Sequence, residues 1–183
     1  MRLLLLRHAK SDWSGSTQVD DHERPLSTRG RRTAPKIGEF LSAKNYAPAL
    51  VLCSTALRAK ETLELVLPAL RTAPKVHYDR KLYLADWPRL LLIIQKCPAK
   101  SSPLLVVGHN PGVEQLALAL ALKPRSVAEK GRAQKMAQKF PTAALAVLDF
   151  EVRSWAEVRP GLGRLIDFVR PKDVIKESEE AEE

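Results

Sequence analysis

Short apolar runs alternate along the chain with stretches in which apolar residues recur every three or four positions. Residues 3–6, 50–53 and 104–107 are continuous apolar runs bounded by polar residues, a pattern typical of strands buried on both faces. The segments 59–70 and 113–121, which follow the second and third runs, have the spacing of amphipathic helices. Strands that alternate with helices predict an α/β fold, a three-layer αβα sandwich with a mainly parallel central sheet.

The remaining segments complete this prediction. Residues 27–43 predict a helix that either starts near Thr33 or bends at Pro35, because proline fits only the first turn of a helix. Residues 90–95 predict a short helix, whereas the polar and basic residues 123–139 predict an exposed loop with a single helical turn. Further strands are predicted at residues 143–150, 156–158 and 165–168. No repeat or flexible linker divides the chain, so residues 1–175 are predicted to form one domain.

The charge of the chain is uneven. The net charge is +9, but residues 176–183 contain one lysine and five glutamates, so this end carries −4 and residues 1–175 carry +13. We expect the acidic end to be disordered. The basic remainder is compatible with nucleic-acid binding or with a small anionic substrate such as a phosphate ester. The chain has few aromatic residues and no nucleic-acid motif, which favours the second interpretation.

The composition indicates a soluble globular protein. Apolar residues make up 45% and charged residues 28% of the chain, and no apolar run approaches the roughly 20 residues of a membrane span. The first apolar run is too short for a secretory signal. The two cysteines form neither a disulfide framework nor a metal-binding spacing. We therefore expect a cytoplasmic protein that does not bind a membrane.

Arginines and histidines follow three predicted strands at their carboxyl ends. Arg7 and His8 come directly after the first strand, Arg58 lies shortly after the second, and His109 follows the third. Because ligands bind beyond the carboxyl ends of parallel strands, we expect these four side chains to line one pocket.

Two helix starts belong to the same pattern. Ser54 or Thr55 is predicted to cap the helix after the second strand, and Asn110 to cap the helix after the third, with Pro111 in its first position. Arg58 in a first helical turn opposes the helix dipole, so an anionic group is expected beside it.

These residue types suit phosphoryl transfer. A guanidinium binds phosphate oxygens with a rigid fork of N–H groups, and a neutral imidazole nitrogen can attack phosphorus. A zinc site is disfavoured, because arginines repel a metal ion and no acidic or cysteine ligand accompanies the histidines. We expect no metal and no organic cofactor, since the arginines already supply positive charge.

Four segments resemble the motifs of the histidine phosphatase superfamily, whose fold is that of cofactor-dependent phosphoglycerate mutase. They occur in the family's order, within about residues 1–170: Arg7-His8-Ala9-Lys10-Ser11, Arg24-Pro25-Leu26-Ser27-Thr28-Arg29-Gly30, Ser54-Thr55-Ala56-Leu57-Arg58-Ala59-Lys60-Glu61-Thr62 and Val107-Gly108-His109-Asn110-Pro111. The resemblance implies that His8 becomes phosphorylated, while Arg7, Arg58 and His109 bind the phosphoryl group. The chain is most similar to the bacterial phosphohistidine phosphatases, which act on phosphohistidine in signalling proteins.

The resemblance also suggests substrate-binding residues. Lys10 and Ser11 follow the nucleophile, Arg24 lies in the second motif, and Thr142 begins a strand near the rim of the pocket by family analogy. We expect these four residues to contact the phosphoryl group or the rest of the substrate.

The chain departs from the family where many members have an acidic proton donor. Leu84 stands at the place of that acid, and Asp86, two residues later, is a candidate substitute. An alkoxide leaving group needs a proton in the transition state, whereas an imidazole with a reference pKa of roughly 6.5 can arrive protonated. A missing acid therefore favours phosphoramidates over sugar phosphates.

Other functions remain open at this level. The chain is predicted to be a phosphatase acting on a phosphohistidine protein or a phosphorylated small molecule, as a monomer or weak dimer. The alternatives are a sugar phosphatase or mutase of the same superfamily, a phosphohistidine reader without activity and, more distantly, a nucleic-acid-binding module.

Overall fold

A six-stranded sheet forms the centre of the fold. The structure is a computed structural model that describes residues 1–13 and 20–174. The strands lie in the order β3-β2-β4-β1-β5-β6, in which β1 to β4 are parallel and β5 is antiparallel to both of its neighbours. Their bounds are β1 Arg2–Arg7, β2 Leu50–Ser54, β3 Lys75–Asp79, β4 Leu104–Gly108, β5 Leu145–Asp149 and β6 Arg164–Val169. The predicted mainly parallel sheet is confirmed.

Helices cover both faces of this sheet. They are α1 Thr28–Ala43, α2 Leu57–Val66, α3 Trp87–Gln95, α4 Gly112–Leu120 and α5 Val127–Gln138. Successive side chains of a strand point to opposite faces. Leu3 and Leu5 therefore pack in the core formed with α3, α4 and Met136 of α5, and Leu4 and Leu6 in the core formed with α1 and α2. This is the predicted three-layer sandwich; the acidic end at 176–183 lies outside the described residues.

The structure corrects two predicted elements and adds a strand that was not predicted. Residues 123–139 are not a loop with one turn, because α5 runs through them for 12 residues, capped by Ser126, whose side chain accepts from the N–H of Glu129. Residues 156–158 are not a strand but belong to a 3-10 turn that buries Trp155. Strand β3 was not predicted, because its residues are mostly polar and exposed at the edge of the sheet.

The helix starts also differ from the prediction. Helix α1 begins at Thr28 after the cap Ser27 and includes Pro35 in its interior, so a start near Thr33 is wrong. Neither Ser54 nor Thr55 is the cap of α2, since that position belongs to Ala56. Pro111 precedes α4, and the Asn110 amide donates instead to the Glu114 carboxylate and to the Phe140 carbonyl.

Replacement of Gly112 by alanine is expected to destabilise the protein by about 2 kcal/mol, because the core cannot absorb an added methyl there. A Cβ at Gly112 would lie 1.9 Å from the backbone oxygen of Ala85. Gly131 in α5 is the matched control, because nothing lies within 4 Å of its Cβ position. Alanine at Gly131 is expected to stabilise the helix by about 0.5–1 kcal/mol. Urea unfolding measures both, and equal stability of Gly112→Ala and the wild type would contradict this packing.

Candidate active site

The two predicted histidines lie together at one edge of the sheet. Strands β1 and β4 are parallel neighbours in which Arg7 is paired with Gly108, so the residues that follow, His8 and His109, leave the sheet side by side. The N–H of His8 donates to the Gly108 carbonyl at 3.0 Å. The two ring centroids are 5.1 Å apart, and His8 and His109 are only 6% and 2% exposed. The strand register thus brings together two imidazoles that are 101 positions apart in the chain.

Hydrogen bonding orients the His8 ring. Its Nδ1 lies 2.7 Å from the backbone oxygen of Ala9. Since a carbonyl only accepts, Nδ1 carries the hydrogen and Nε2 carries the lone pair. The Nε2 of His109 lies 2.8 Å from the Ser54 hydroxyl at the end of β2. His8 is therefore held in the tautomer that a nucleophile requires.

Both imidazoles are neutral at physiological pH. Burial, the largest cause, lowers the pKa of His8 to about 3, with Arg58, Arg7 and Arg24 acting in the same direction and the Ala9 carbonyl opposing them. Burial and the neighbouring His8 lower the pKa of His109 to about 3. A neutral ring with a free lone pair is the form that attacks an electrophile.

This burial predicts a pH-dependent stability. In the unfolded chain each imidazole binds a proton near pH 6.5, whereas in the folded chain it does so only near pH 3. Between these values the unfolded state binds more protons, so stability falls as the pH falls. From pH 7.5 to 5.5 the free energy of unfolding is expected to drop by about 1.4 kcal/mol for each buried imidazole.

Urea unfolding at the two pH values tests this expectation. His109→Gln is expected to lose about half of the pH dependence, and His77→Gln, at an exposed position of β3, to keep it. A wild-type free energy of unfolding that does not change over this range would contradict neutral burial of the two rings.

Three guanidiniums surround the histidines. Arg7 Nη1 donates to the Phe140 carbonyl at 2.8 Å. Arg58 extends from the first turn of α2 and is 2% exposed. Arg24 is buried, and its guanidinium stacks 3.5 Å over the Trp13 ring. The positive charges of all three lower the pKa of His8, in addition to the larger effect of burial.

Several nitrogens of these side chains have no partner although they are buried. They are Arg7 Nε, Arg24 Nε and Nη1, Arg58 Nε and His109 Nδ1, five of the seven such side-chain atoms among the described residues. Buried polar atoms without a partner are rare in folded proteins. Such a cluster of N–H donors and positive charge is suited to binding an oxyanion.

The structure also locates the other three predicted substrate-binding residues. Lys10 is exposed, and its carbonyl accepts from the N–H of Ser27. Ser11 is buried in an isolated β-bridge with Leu26. Thr142 lies in a tight turn, next to a residue whose N–H donates to the carbonyls of Arg7 and His8. The structure therefore places Ser11 and Thr142 in segments that border the end of β1, whereas Lys10 faces solvent.

The structure also locates Asp86 and Leu84, the two positions considered for the acidic proton donor. Asp86 is exposed and caps α3, because its Oδ1 accepts from the Arg89 N–H at 3.0 Å. Leu84 is 55% exposed and has a positive φ of 48°. The structure thus gives Asp86 a capping contact, and its role as a general acid stays a prediction.

Sequence reasoning missed three residues near the histidines. Asp21 accepts hydrogen bonds from Arg58 and from the Tyr83 hydroxyl. The Tyr83 ring stands edge-on to His109, with ring centroids 5.4 Å apart, and to His22 at 4.9 Å. The available signal was the three-residue spacing of Asp21 and Arg24, which form an ion pair at 2.9 Å. Asp21 is the anionic group that was expected beside Arg58.

Within residues 1–13 and 20–174, no helix combines the length and apolar character that a membrane crossing requires. The same residues gather no group of three or more histidine, cysteine or acidic side chains that could hold a metal ion.

Comparisons with known proteins show which family the chain resembles. The family model of the histidine phosphatase superfamily (branch 1) matches residues 3–87. An uncharacterized protein of Mycobacterium tuberculosis is 37% identical over 170 residues, covering 91% of this chain and 100% of that protein. A candidate phosphohistidine phosphatase, SixA from Agrobacterium tumefaciens, is 30% identical, with a TM-score of 0.74 over 93% of this chain and 97% of that one.

A further solved structure, the protein histidine phosphatase SixA complexed with tungstate, is similar in fold, with a TM-score of 0.74 at 22% identity over 95% of this chain and 99% of that one. The chain belongs to the histidine phosphatase superfamily, and the predicted phosphoglycerate-mutase-like fold is confirmed.

Proposed function

We propose that this protein is a phosphatase that hydrolyses phosphohistidine in a partner protein through a phosphohistidine intermediate on His8. The observation that carries the proposal is the state of His8. This imidazole is neutral, its Nδ1 is bound to the Ala9 carbonyl, and it is surrounded by the guanidiniums of Arg7, Arg24 and Arg58. A fixed neutral nucleophile within a cluster of positive donors suits phosphoryl transfer, in which catalysis is mainly positioning and charge stabilisation.

The reaction has two steps. In the first, the Nε2 lone pair of His8 forms a bond to phosphorus while the bond from phosphorus to the leaving group breaks. In the second, water attacks the phosphorus on His8, the P–N bond breaks, inorganic phosphate leaves and neutral His8 is restored. Arg7, Arg58 and His109 bind the phosphoryl oxygens in both steps, and Arg24 adds a further positive charge.

The leaving group decides between substrate classes. An alkoxide leaving from a sugar phosphate needs a proton donor, and here Leu84 occupies the place of the family's acid while Asp86 caps α3. An imidazole leaving group brings its own proton, because its reference pKa is roughly 6.5. The similarity to SixA from Agrobacterium tumefaciens, a candidate phosphohistidine phosphatase, supports the same choice.

A panel of phosphodonors tests the substrate class. Initial rates are measured with a histidine-phosphorylated protein, phosphoramidate, glucose 6-phosphate and 3-phosphoglycerate. We expect kcat/KM for the phosphohistidine protein to exceed that for the sugar phosphate by at least about 100-fold, on the order of one missing general acid. A higher kcat/KM for the sugar phosphate would contradict the proposed substrate, and conversion of 3-phosphoglycerate to its isomer without phosphate release would indicate a mutase.

A further inference from the structure

Asp21 makes several contacts with the phosphoryl-binding groups. Its Oδ2 accepts from Arg58 Nη2 at 2.9 Å, and its backbone carbonyl accepts from Arg58 Nη1. Its Oδ1 lies 2.9 Å from Arg24 Nη2, and the Tyr83 hydroxyl donates to its Oδ2. Both terminal nitrogens of the Arg58 fork are therefore bound to one residue, which fixes the plane of the guanidinium.

The contacts of Asp21 also set the charge of the pocket. Arg7, Arg24 and Arg58 contribute three positive charges, the two imidazoles are neutral, and Asp21 contributes one negative charge. Three minus one leaves a charge of +2 on these groups, which matches a dianionic phosphoryl group. The Asp21 carboxyl stays ionised, because hydrogen bonds from Tyr83 and Arg58 and the charges of Arg58 and Arg24 lower its pKa against the opposing effect of burial.

We propose that Asp21 is a positioning residue that fixes Arg58 and lowers the affinity of the pocket for inorganic phosphate, so that the product leaves. This inference rests on the proposed function. Without the carboxylate, the guanidiniums of Arg24 and Arg58 lose the ion-pair partner that competes with the bound anion, so phosphate is held more tightly. At the same time the Arg58 fork loses the partner that orients it for the transition state.

The test uses Asp21→Asn, which keeps the size of the side chain and removes its charge. Isothermal titration with inorganic phosphate is expected to give a Kd on the order of 10-fold lower than that of the wild type. Turnover of a phosphohistidine protein is expected to show a decrease in both KM and kcat. A merely structural role would raise KM while kcat falls. The direction of the change in KM therefore distinguishes the proposed positioning role from a merely structural one.

Glu23→Gln is the matched control, because Glu23 lies in the same 3-10 turn and its carboxylate pairs with His22 rather than with an arginine. Its phosphate affinity is expected to stay within about 2-fold of the wild type, since an exposed charge is screened. In an Arg58→Ala background, Asp21→Asn is expected to tighten phosphate binding much less, because Asp21 acts through Arg58.

Two results would overturn the inference. Phosphate affinity of Asp21→Asn equal to or below that of the wild type would remove it, and so would the same tightening with and without Arg58. If the wild type turns over phosphohistidine but Asp21→Asn binds inorganic phosphate more weakly than the wild type, only the role of Asp21 is contradicted. A wild-type protein that neither binds phosphate nor turns over any phosphodonor contradicts the proposed function itself.

Discussion

Replacement of His8 by alanine is expected to abolish phosphatase turnover, with kcat reduced by at least about 10⁴-fold, because the variant lacks the nitrogen that forms the covalent intermediate. The structure offers no second nucleophile in an equivalent state among the described residues. His109, the other imidazole of the site, has its Nε2 bound to the Ser54 hydroxyl and its Nδ1 buried. Initial rates with a phosphohistidine protein measure the effect.

The same substitution at His77 is the control for loss of a histidine. His77 is exposed on the edge strand β3, so His77→Ala is expected to keep kcat within about 2-fold. Inorganic phosphate binding to His8→Ala is expected to persist, since the arginines remain. A kcat of His8→Ala within 10-fold of the wild type would remove covalent catalysis by this residue.

Replacement of Arg58 by alanine is expected to lower kcat/KM by about 10³-fold, the magnitude typical of an arginine that stabilises a transferring phosphoryl group. Both the affinity and the rate are affected, because the guanidinium binds the phosphoryl oxygens in the ground state and in the transition state. Steady-state kinetics with kcat and KM determined separately measure the effect.

Two variants separate the effect of the paired N–H donors of the Arg58 guanidinium from the effect of its positive charge. Arg58→Lys keeps a positive charge but cannot bind two oxygens side by side, so it is expected to recover only a small part of the lost kcat/KM. Arg32→Ala removes an exposed arginine of α1 and is expected to leave kcat/KM within about 2-fold. Full activity of Arg58→Lys would contradict the role of the guanidinium fork.

The sequence was sufficient to predict the centre of the fold. Strands β1, β2 and β4 are buried on both faces, so their continuous apolar runs carried a clear signal. The alternation of strands and helices then predicted a mainly parallel sheet with His8 and His109 at one edge, whereas the pairing of β1 with β4 is known only from the structure. These predictions needed only local patterns and a general rule about parallel sheets.

The periphery was harder to predict for physical reasons. Strand β3 is an edge strand with exposed polar residues, so it lacks the apolar run that marked its neighbours. Helix α5 buries little beyond Glu129 and Met136, and its basic face resembles a loop in sequence. Asp21 and Tyr83 are 62 positions apart, and their contact depends on two loops that carry no periodic signal.

The most direct test of the account is to trap and map the phosphorylated enzyme. The protein is mixed briefly with ³²P-labelled phosphoramidate, quenched in alkali and digested, and the labelled peptide is identified by mass spectrometry. We predict an acid-labile, alkali-stable label on His8 of the wild type and no label on His8→Ala. A label on another residue, or phosphate release by the wild type with no trapped label while His8→Ala turns over normally, would contradict the account.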